Sequence, residues 1–169
     1  AAGFAFPLVV DPVMISKHGA PLVSGDARQA ILTRLIPRAA LLTPNLHEAE
    51  ALAGVEIRDL AGMRDAARRL ADLGAGAILV KGGHLETAAT DVLFCDGDWH
   101  EYPAPRLDTR HTHGTGCTYS AAITAELARG RRLLDAVSRA KAFITRAIAS
   151  NPGLGRGSGP VNHHAPTEC

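Results

Sequence analysis

The sequence has almost no excess of charge of either sign. It carries 18 lysines and arginines against 17 aspartates and glutamates, for a formal net charge of +1. Binding to nucleic acid or to a membrane surface depends on clustered basic side chains, and this balance provides no such footprint. The composition therefore predicts a small-molecule partner, with neither nucleic acid nor membrane among its partners.

Cysteine is scarce as well. Cys95, Cys117 and Cys169 are an odd number and lack the paired spacing of metal motifs, and His111 and His113 have no further ligand at convincing spacing. A disulfide framework and a structural zinc site are therefore not expected. The pattern suits a reducing compartment, which predicts a cytoplasmic protein.

Long hydrophobic runs and familiar nucleotide motifs are missing too. The apolar start AAGFAFPLVV has no basic region before it and is too short to cross a bilayer, so it predicts a buried strand. It lacks an initiating Met, and a buried strand at the first residue predicts a fragment or an N-terminally shortened domain. The P-loop and Rossmann patterns are absent, so any nucleotide is held in another way.

The composition is sufficient for one ordinary hydrophobic core, since 46% of the 169 residues are hydrophobic. Apolar runs and helical periodicities alternate in the order β-α-β-α-α-β, then a hairpin, then α-α, which predicts a mostly parallel α/β sheet. The tail from residue 151 is predicted to have little order. The predicted strands are 7–12, 40–45, 76–83, 90–95 and 98–102, and the predicted helices are 27–35, 46–54, 63–74, 117–129 and 133–148.

Polar residues follow the ends of the predicted parallel strands, where ligands collect in such sheets. Lys81 could reach a nucleotide phosphate, or could be a solvated lysine at a strand terminus. Asn45 and Glu48 have the spacing of a capping box, but also supply the oxygen ligands that Mg²⁺ prefers. Asp11 is either a carboxylate on the metal or phosphate side or a turn former before Pro12.

The stretch HGTGC places a glycine turn at the start of a predicted helix. Gly114, Thr115 and Gly116 would present backbone N–H groups and the positive end of the helix dipole to one point, which favours phosphate. A helix N-terminus also lowers the pKa of a thiol, so Cys117 is a candidate base or nucleophile. The alternative is a tight loop-to-helix connection with an ordinary buried cysteine. Cys95 is predicted to be a core residue.

Five stretches together resemble one family. They are VVDPVM, LLTPNLHEAEAL, ILVKGGH, HGTGCTYSAAI and GRGSGPVNH. In this order they resemble the hydroxymethylpyrimidine/phosphomethylpyrimidine kinases of thiamine biosynthesis, in the ribokinase-like superfamily. The resemblance implies a three-layer α/β/α fold with a mostly parallel central sheet, of which residues 1–160 are the C-terminal portion and 161–169 a tail.

The resemblance also implies an activity. It is the phosphorylation of 4-amino-5-hydroxymethyl-2-methylpyrimidine, and then of its monophosphate to the diphosphate, with ATP and Mg²⁺ as cofactors. Cys117 stands where most ribokinase-like enzymes have an aspartate that takes the proton of the acceptor hydroxyl. The second acceptor is a phosphate oxygen that is already ionised, so it needs little help from a base.

The other roles implied by the resemblance follow the same matching positions. Gly114, Thr115 and Gly116 would cradle the transferred phosphoryl group, and Lys81 would contact the ATP phosphates. Asn45 and Glu48 would organise Mg²⁺, and Asp11 would support that cluster. Val13 would touch the pyrimidine.

One departure from the family's pattern and two alternative functions remain open. The N-terminal half of the family's fold is expected to precede residue 1, which predicts an exposed sheet edge and either aggregation or pairing with another chain, as in a homodimer. Pyridoxal kinase, of the same superfamily, phosphorylates a similar hydroxymethyl group. A catalytically inactive nucleotide-binding fragment is the alternative outside enzymes.

Overall fold

A computed structural model of the chain describes residues 6–15, 20–83 and 89–167. The chain divides into two units, the first ending at Pro103 and the second beginning at Ala104. The first unit contains a sheet with three helices, and the second contains two helices and the C-terminal segment. Along the described ranges, no helix combines the length and the apolar character that crossing a membrane requires.

The sheet of the first unit has five strands in the order β1-β2-β3-β4-β5. The pairs β1/β2 and β2/β3 are parallel, whereas β3/β4 and β4/β5 are antiparallel, so the sheet is mixed. The α/β class and the closing hairpin are confirmed. The strands are β1 Val9–Val10, β2 Leu41–Leu42, β3 Ala77–Val80, β4 Asp91–Cys95 and β5 Asp98–Tyr102.

The first two strands are shorter than the sequence predicted. The predicted strands are 7–12 and 40–45, but only two residues of each form a strand. Pro7 and Pro12 flank β1, and Pro44 follows β2. Proline has no N–H to donate to a neighbouring strand, so it limits the ladder at these positions.

Three helices pack in the first unit. These are α1 Gly25–Ala30, α2 Leu46–Ala53 and α3 Leu60–Asp72. The side chain of Ser24 caps α1, and that of Asp59 caps α3. The predicted helix 27–35 does not run on as one α-helix, because Ile31–Leu35 form a π-helical turn and Ile36–Arg38 a 3₁₀ turn. The chain then passes through Pro37, which cannot continue an α-helix.

The core of the first unit lies between α3 and the sheet. One face of α3 is fully buried, with Met63 and Leu70 both 0% exposed, as the period of its apolar residues predicted. Ile78 and Val92 of the sheet belong to the same buried cluster. Burying a side chain of this size contributes about 1.5–3 kcal/mol, so this face fixes α3 on the sheet.

The hairpin has the predicted two-residue turn. Asp96 and Gly97 have φ angles of 51° and 87°, the left-handed values that this turn requires at both positions. Next to the turn, the rings of Phe94 and Trp99 face each other across the two strands, with centroids 4.5 Å apart. The guanidinium of Arg68 lies over the Trp99 ring at 5.7 Å, so α3 also covers this aromatic pair.

The second unit is built on α4, Thr115–Ala128, and α5, Leu133–Ala149, which pack against each other. Ile123 and Val137 are 0% exposed. Gly130, at φ 80°, lies in the short connection between the helices, where the sequence predicted a stop.

The segment after α5 is more ordered than its composition predicts. Val161 and Ala165 are buried, at 1% and 4% exposed. Asn162 N–H donates to the Ala147 carbonyl of α5 at 2.9 Å. The prediction of little order failed because these contacts are made with residues distant in the sequence, which local composition does not report.

Candidate functional site

The ends of the three parallel strands bring polar side chains together in the first unit. Lys81 Nζ donates to Asp11 Oδ1 at 2.9 Å, and Thr43 Oγ1 donates to the same oxygen at 3.3 Å. We call Asp11, Thr43 and Lys81 the strand-end cluster. The side chains of Lys81 and Asp11 are only 10% and 16% exposed, so the alternative of a solvated lysine was wrong.

The backbone holds Lys81 in this position. Its N–H donates to the Pro44 carbonyl at 2.8 Å, which extends the parallel pairing to a bridge with Asn45. The next residue, Gly82, donates its N–H to the buried Asp91 carboxylate at 2.9 Å. The backbone around Lys81 is therefore fixed by hydrogen bonds to the residues that follow β2 and to the first residue of β4.

Gly82→Ala is expected to destabilise the protein by about 3 kcal/mol or more. A Cβ at Gly82 would lie 1.8 Å from the Thr90 carbonyl oxygen, and a backbone atom cannot move aside as a flexible side chain can. Gly83→Ala is the matched control, because a Cβ there meets nothing within 4 Å. Urea unfolding measures both; equal stabilities of the two variants would refute the clash.

Asn45 and Glu48 form the capping box of α2. Asn45 Oδ1 accepts from Glu48 N–H at 2.9 Å, and Glu48 Oε2 accepts from Asn45 N–H at 2.8 Å. The capping interpretation is confirmed, while the role of these residues at Mg²⁺ stays a prediction. Glu48 is 2% exposed, which places a carboxyl group in the interior beside the cluster's charges.

Burial raises the pKa of Glu48 above its ordinary value of 4.5. The negative charge of Asp11 acts in the same direction, while the Lys81 charge and the N–H groups of Asn45 and Met14 lower this pKa by less in total. The folded protein therefore holds a proton on Glu48 more tightly than the unfolded chain does. Unfolding releases that proton, so this group's contribution to stability falls as the pH rises above about 4.5.

Glu48→Gln should remove this pH dependence. Glutamine, like glutamate, is found at this position of a capping box, and its amide oxygen can accept the Asn45 N–H. Its side chain does not titrate. We expect the stability of the native protein relative to Glu48→Gln to be greatest below pH 4.5 and to decrease above it. Urea unfolding of both proteins across this range, without metal, measures the difference; a difference constant with pH would contradict the shift.

The glycine turn of the second unit begins α4. Gly114 is the N-cap, with φ 81°, and no side chain caps the helix there. A residue with a Cβ rarely adopts this left-handed conformation, which explains glycine at this position. Thr115 Oγ1 donates to the Thr112 carbonyl at 2.8 Å and so tightens the turn. The N–H of Thr115 also donates to the Thr112 carbonyl, at 3.3 Å, and the first bond of the helix ladder is from Thr118 N–H to the Gly114 carbonyl. The N–H groups of Gly116 and Cys117 precede that bond, so the helix itself offers them no acceptor.

The two described cysteines differ in exposure. Cys117 is exposed and lies in the first turn of α4, so the alternative of an ordinary buried cysteine was wrong. Cys95 is buried in β4, as predicted, and burial raises the pKa of its thiol, with smaller contributions from Asp96 and Asp98. Cys169 lies outside the described residues.

Sequence reasoning missed two groups of contacts. Thr43 was not singled out, and no motif marks it apart from its place at the end of β2. The other is the segment Gly159–His163, within the matching stretch GRGSGPVNH. His113 N–H donates to the Gly159 carbonyl at 3.1 Å, and Val161 N–H donates to the His113 carbonyl at 3.2 Å. His163 Nε2 lies 3.0 Å from Thr118 Oγ1.

Val13 and the metal ligands remain predictions. Val13 is 43% exposed and follows directly on the strand-end cluster, with its N–H 2.9 Å from the Asp11 carbonyl. Over the described parts of the chain, no group of three or more His, Cys, Asp or Glu side chains is arranged to hold a metal ion. Asp11 forms an ion pair with Lys81, and Glu48 interacts with both through charge.

Solved structures define the class of fold. The pyridoxal kinase of Bacillus subtilis, in an ADP complex, is 38% identical, with a TM-score of 0.84 over 93% of this chain and 58% of that one. The phosphomethylpyrimidine kinase of Clostridium difficile is 39% identical, with a TM-score of 0.73 over 84% of this chain and 57% of that one. The chain has the ribokinase-like fold of these kinases.

Sequence comparison identifies the family. The model of the phosphomethylpyrimidine kinase family matches residues 2–162, and the chain belongs to this family. Among its curated relatives, the hydroxymethylpyrimidine/phosphomethylpyrimidine kinase of Haemophilus influenzae is 47% identical over 94% of this chain and 61% of the relative. The thiamine biosynthesis bifunctional protein ThiED of Geobacter sulfurreducens is 50% identical over 92% of this chain. The chain spans 32% of that relative's length.

Proposed function

We propose that the protein is an ATP-dependent kinase of thiamine biosynthesis in the cytoplasm. It phosphorylates 4-amino-5-hydroxymethyl-2-methylpyrimidine and then converts the monophosphate to the diphosphate. The observation that carries this proposal is the exposed Cys117 in the first turn of α4, directly after a glycine turn at which no side chain caps the helix. The chain that contains it belongs to the phosphomethylpyrimidine kinase family. Its partners are a small-molecule acceptor and a second copy of the chain, as a homodimer.

The turn of α4 supplies the chemistry of the transfer. Backbone N–H groups at a helix N-terminus stabilise the negative charge of the transferred phosphoryl group, which is the main contribution that proteins make to such reactions. Gly114, Thr115 and Gly116 form this cradle. In its thiolate form, Cys117 accepts the proton of the acceptor hydroxyl during the first phosphorylation, while the hydroxyl oxygen takes the phosphoryl group and ADP leaves.

The strand-end cluster supplies positive charge for the nucleotide. The Lys81 ammonium is held by Asp11 at 2.9 Å, so its position is fixed before ATP binds. Its remaining N–H groups can donate to phosphate oxygens, which form strong charge-assisted hydrogen bonds. Asn45 keeps the start of α2 in place beside it. Val13, exposed next to the cluster, contacts the pyrimidine ring.

The carboxylates near Lys81 fit Mg²⁺. This ion prefers oxygen ligands and is usually held by one or two carboxylates, with water and substrate phosphates completing its shell. Glu48 and Asp11 supply two such groups. The charged form of the buried Glu48 is disfavoured by its surroundings, and a nearby cation would offset that cost. When bound, Mg²⁺ neutralises charge on the nucleotide phosphates.

Pyridoxal phosphorylation is the second candidate. It is supported by the structure of the Staphylococcus aureus pyridoxal kinase in complex with AMP-PCP and pyridoxal, which is 33% identical, with a TM-score of 0.86 over 94% of this chain. That similarity extends over 58% of the pyridoxal kinase chain. Both substrates offer the same kind of acceptor, a hydroxymethyl group on an aromatic ring.

The proposed function is tested by ADP release with Mg-ATP and each acceptor in turn. Hydroxymethylpyrimidine, its monophosphate, pyridoxal and no acceptor are the four arms. We expect turnover with the two pyrimidines that exceeds turnover with pyridoxal. Turnover with pyridoxal alone would establish the second candidate. ATP binding without turnover in any arm would refute both kinases and leave an inactive nucleotide-binding fragment.

A further inference from the structure

His111 makes a backbone contact that neither the family match nor the proposed mechanism assigns. Its ring Nδ1 accepts the N–H of Gly159 at 3.0 Å. Acceptance at Nδ1 requires a neutral ring that carries its proton on Nε2. The contact joins two stretches 48 residues apart in the sequence, both within the second unit.

Gly159 is shaped to receive this ring. A Cβ at Gly159 would lie 2.4 Å from His111 Nδ1 and 2.7 Å from the Leu154 carbonyl oxygen. Gly159 is buried, so a side chain at position 111 that fills the same space without an acceptor would leave its N–H unsatisfied. An unsatisfied buried donor is costly, and His111 supplies the acceptor that the Gly159 N–H needs.

Residues 159–163 contact the chain on both sides of the turn that begins α4. Before the turn, His113 is paired with Pro160 through two backbone hydrogen bonds of 3.1 and 3.2 Å. After it, the His163 ring lies 3.0 Å from Thr118 Oγ1, one residue beyond Cys117. Gly159 therefore holds the backbone that enters the turn, and the segment that follows it also contacts a side chain beyond the turn.

We propose that His111 is a positioning residue of the Gly114–Cys117 turn and that it acts through the Gly159 N–H. This inference rests on the proposed function, in which the turn holds the transferred phosphoryl group. Stabilisation by fixed N–H groups depends on their geometry at the moment of transfer, so a loosened turn lowers kcat more than it weakens ATP binding.

Two variants separate the hydrogen bond from the bulk of the ring. Asparagine at 111 places an amide oxygen where Nδ1 lies, whereas leucine fills similar space without an acceptor. We expect His111→Leu to lower kcat for ADP release about 10-fold, with the KM for ATP changed less than about 2-fold. His111→Asn is expected to restore kcat to within about 2-fold of the native value. His164→Leu, at an exposed histidine of the same unit, is the control.

Hydrogen exchange gives a readout that does not need activity. In His111→Leu the amides of residues 112–118 should exchange at least about 5-fold faster, while those of α3 and β3 keep their native rates. His111→Asn and His164→Leu should match the native protein. If the native chain shows no turnover, the kinase proposal fails, and exchange at 112–118 alone decides the role of His111. Native exchange and kcat in His111→Leu, or equal impairment of His111→Asn and His111→Leu, would overturn the proposal.

Discussion

Cys117→Ala is expected to slow the phosphorylation of the hydroxymethyl group by about 10²- to 10⁴-fold, the usual contribution of a positioned acid or base. Phosphorylation of the monophosphate should change by less than about 10-fold, because its acceptor oxygen is already ionised and needs no proton acceptor. Cys117 is exposed in the first turn of α4, so alanine removes the thiol without leaving a cavity. The two rates are measured separately, with each acceptor under saturating Mg-ATP.

Cys95→Ala is the matched control for this experiment. Cys95 is 6% exposed in β4, so its replacement removes packing from the first unit and should lower stability without altering the ratio of the two rates. An equal loss of both rates in Cys117→Ala would mean that the thiol supports the turn and accepts no proton. Unchanged rates would remove Cys117 from the mechanism altogether.

Lys81→Met is expected to cost about 3 kcal/mol of stability, the lower end of the range for breaking a buried ion pair. Methionine leaves the Asp11 carboxylate with Thr43 as its remaining partner in the strand-end cluster, at 3.3 Å. Both members of the pair are largely shielded from water, with side chains 10% and 16% exposed. Urea unfolding measures the loss.

The double variant Lys81→Met with Asp11→Asn tests the cause of that loss. Neutralising Asp11 removes the uncompensated charge, so we expect the second substitution to recover at least half of the stability. The KM for ATP should be higher than the native value in both the single and the double variant, because neither has the ammonium that contacts the phosphates. Lys141→Met, in the second unit, serves as the control. No recovery in the double variant would show that packing, and not charge, determines the cost.

Features that depend on neighbouring residues were predictable from the sequence. The Asn45–Glu48 capping box joins groups three residues apart, and both of its hydrogen bonds are present. Asp96 and Gly97 form the expected turn, and α3 buries the expected face. In each case the interacting groups are held within one or two turns of chain, so residue type and spacing contain the necessary information.

Features that depend on distant residues were predicted poorly or not at all. The order of the C-terminal segment comes from its hydrogen bonds to α5 and to His113. Thr43 joins the strand-end cluster only because β2 lies between β1 and β3. Alignment of the ends of β1 and β3 across that strand brings Asp11 to Lys81, a pair 70 residues apart in the chain.

By itself, the sequence determined the α/β class, most of the helices, the glycine turn before Cys117 and the resemblance to a kinase family. These follow from short-range periodicity, backbone preferences and motif order. Tertiary structure alone decided that Lys81 is a buried ion-pair partner, that Cys117 is exposed, and that His111 accepts the Gly159 N–H. Burial and partnership are properties of the packed chain, because they depend on which distant segments exclude water from a side chain.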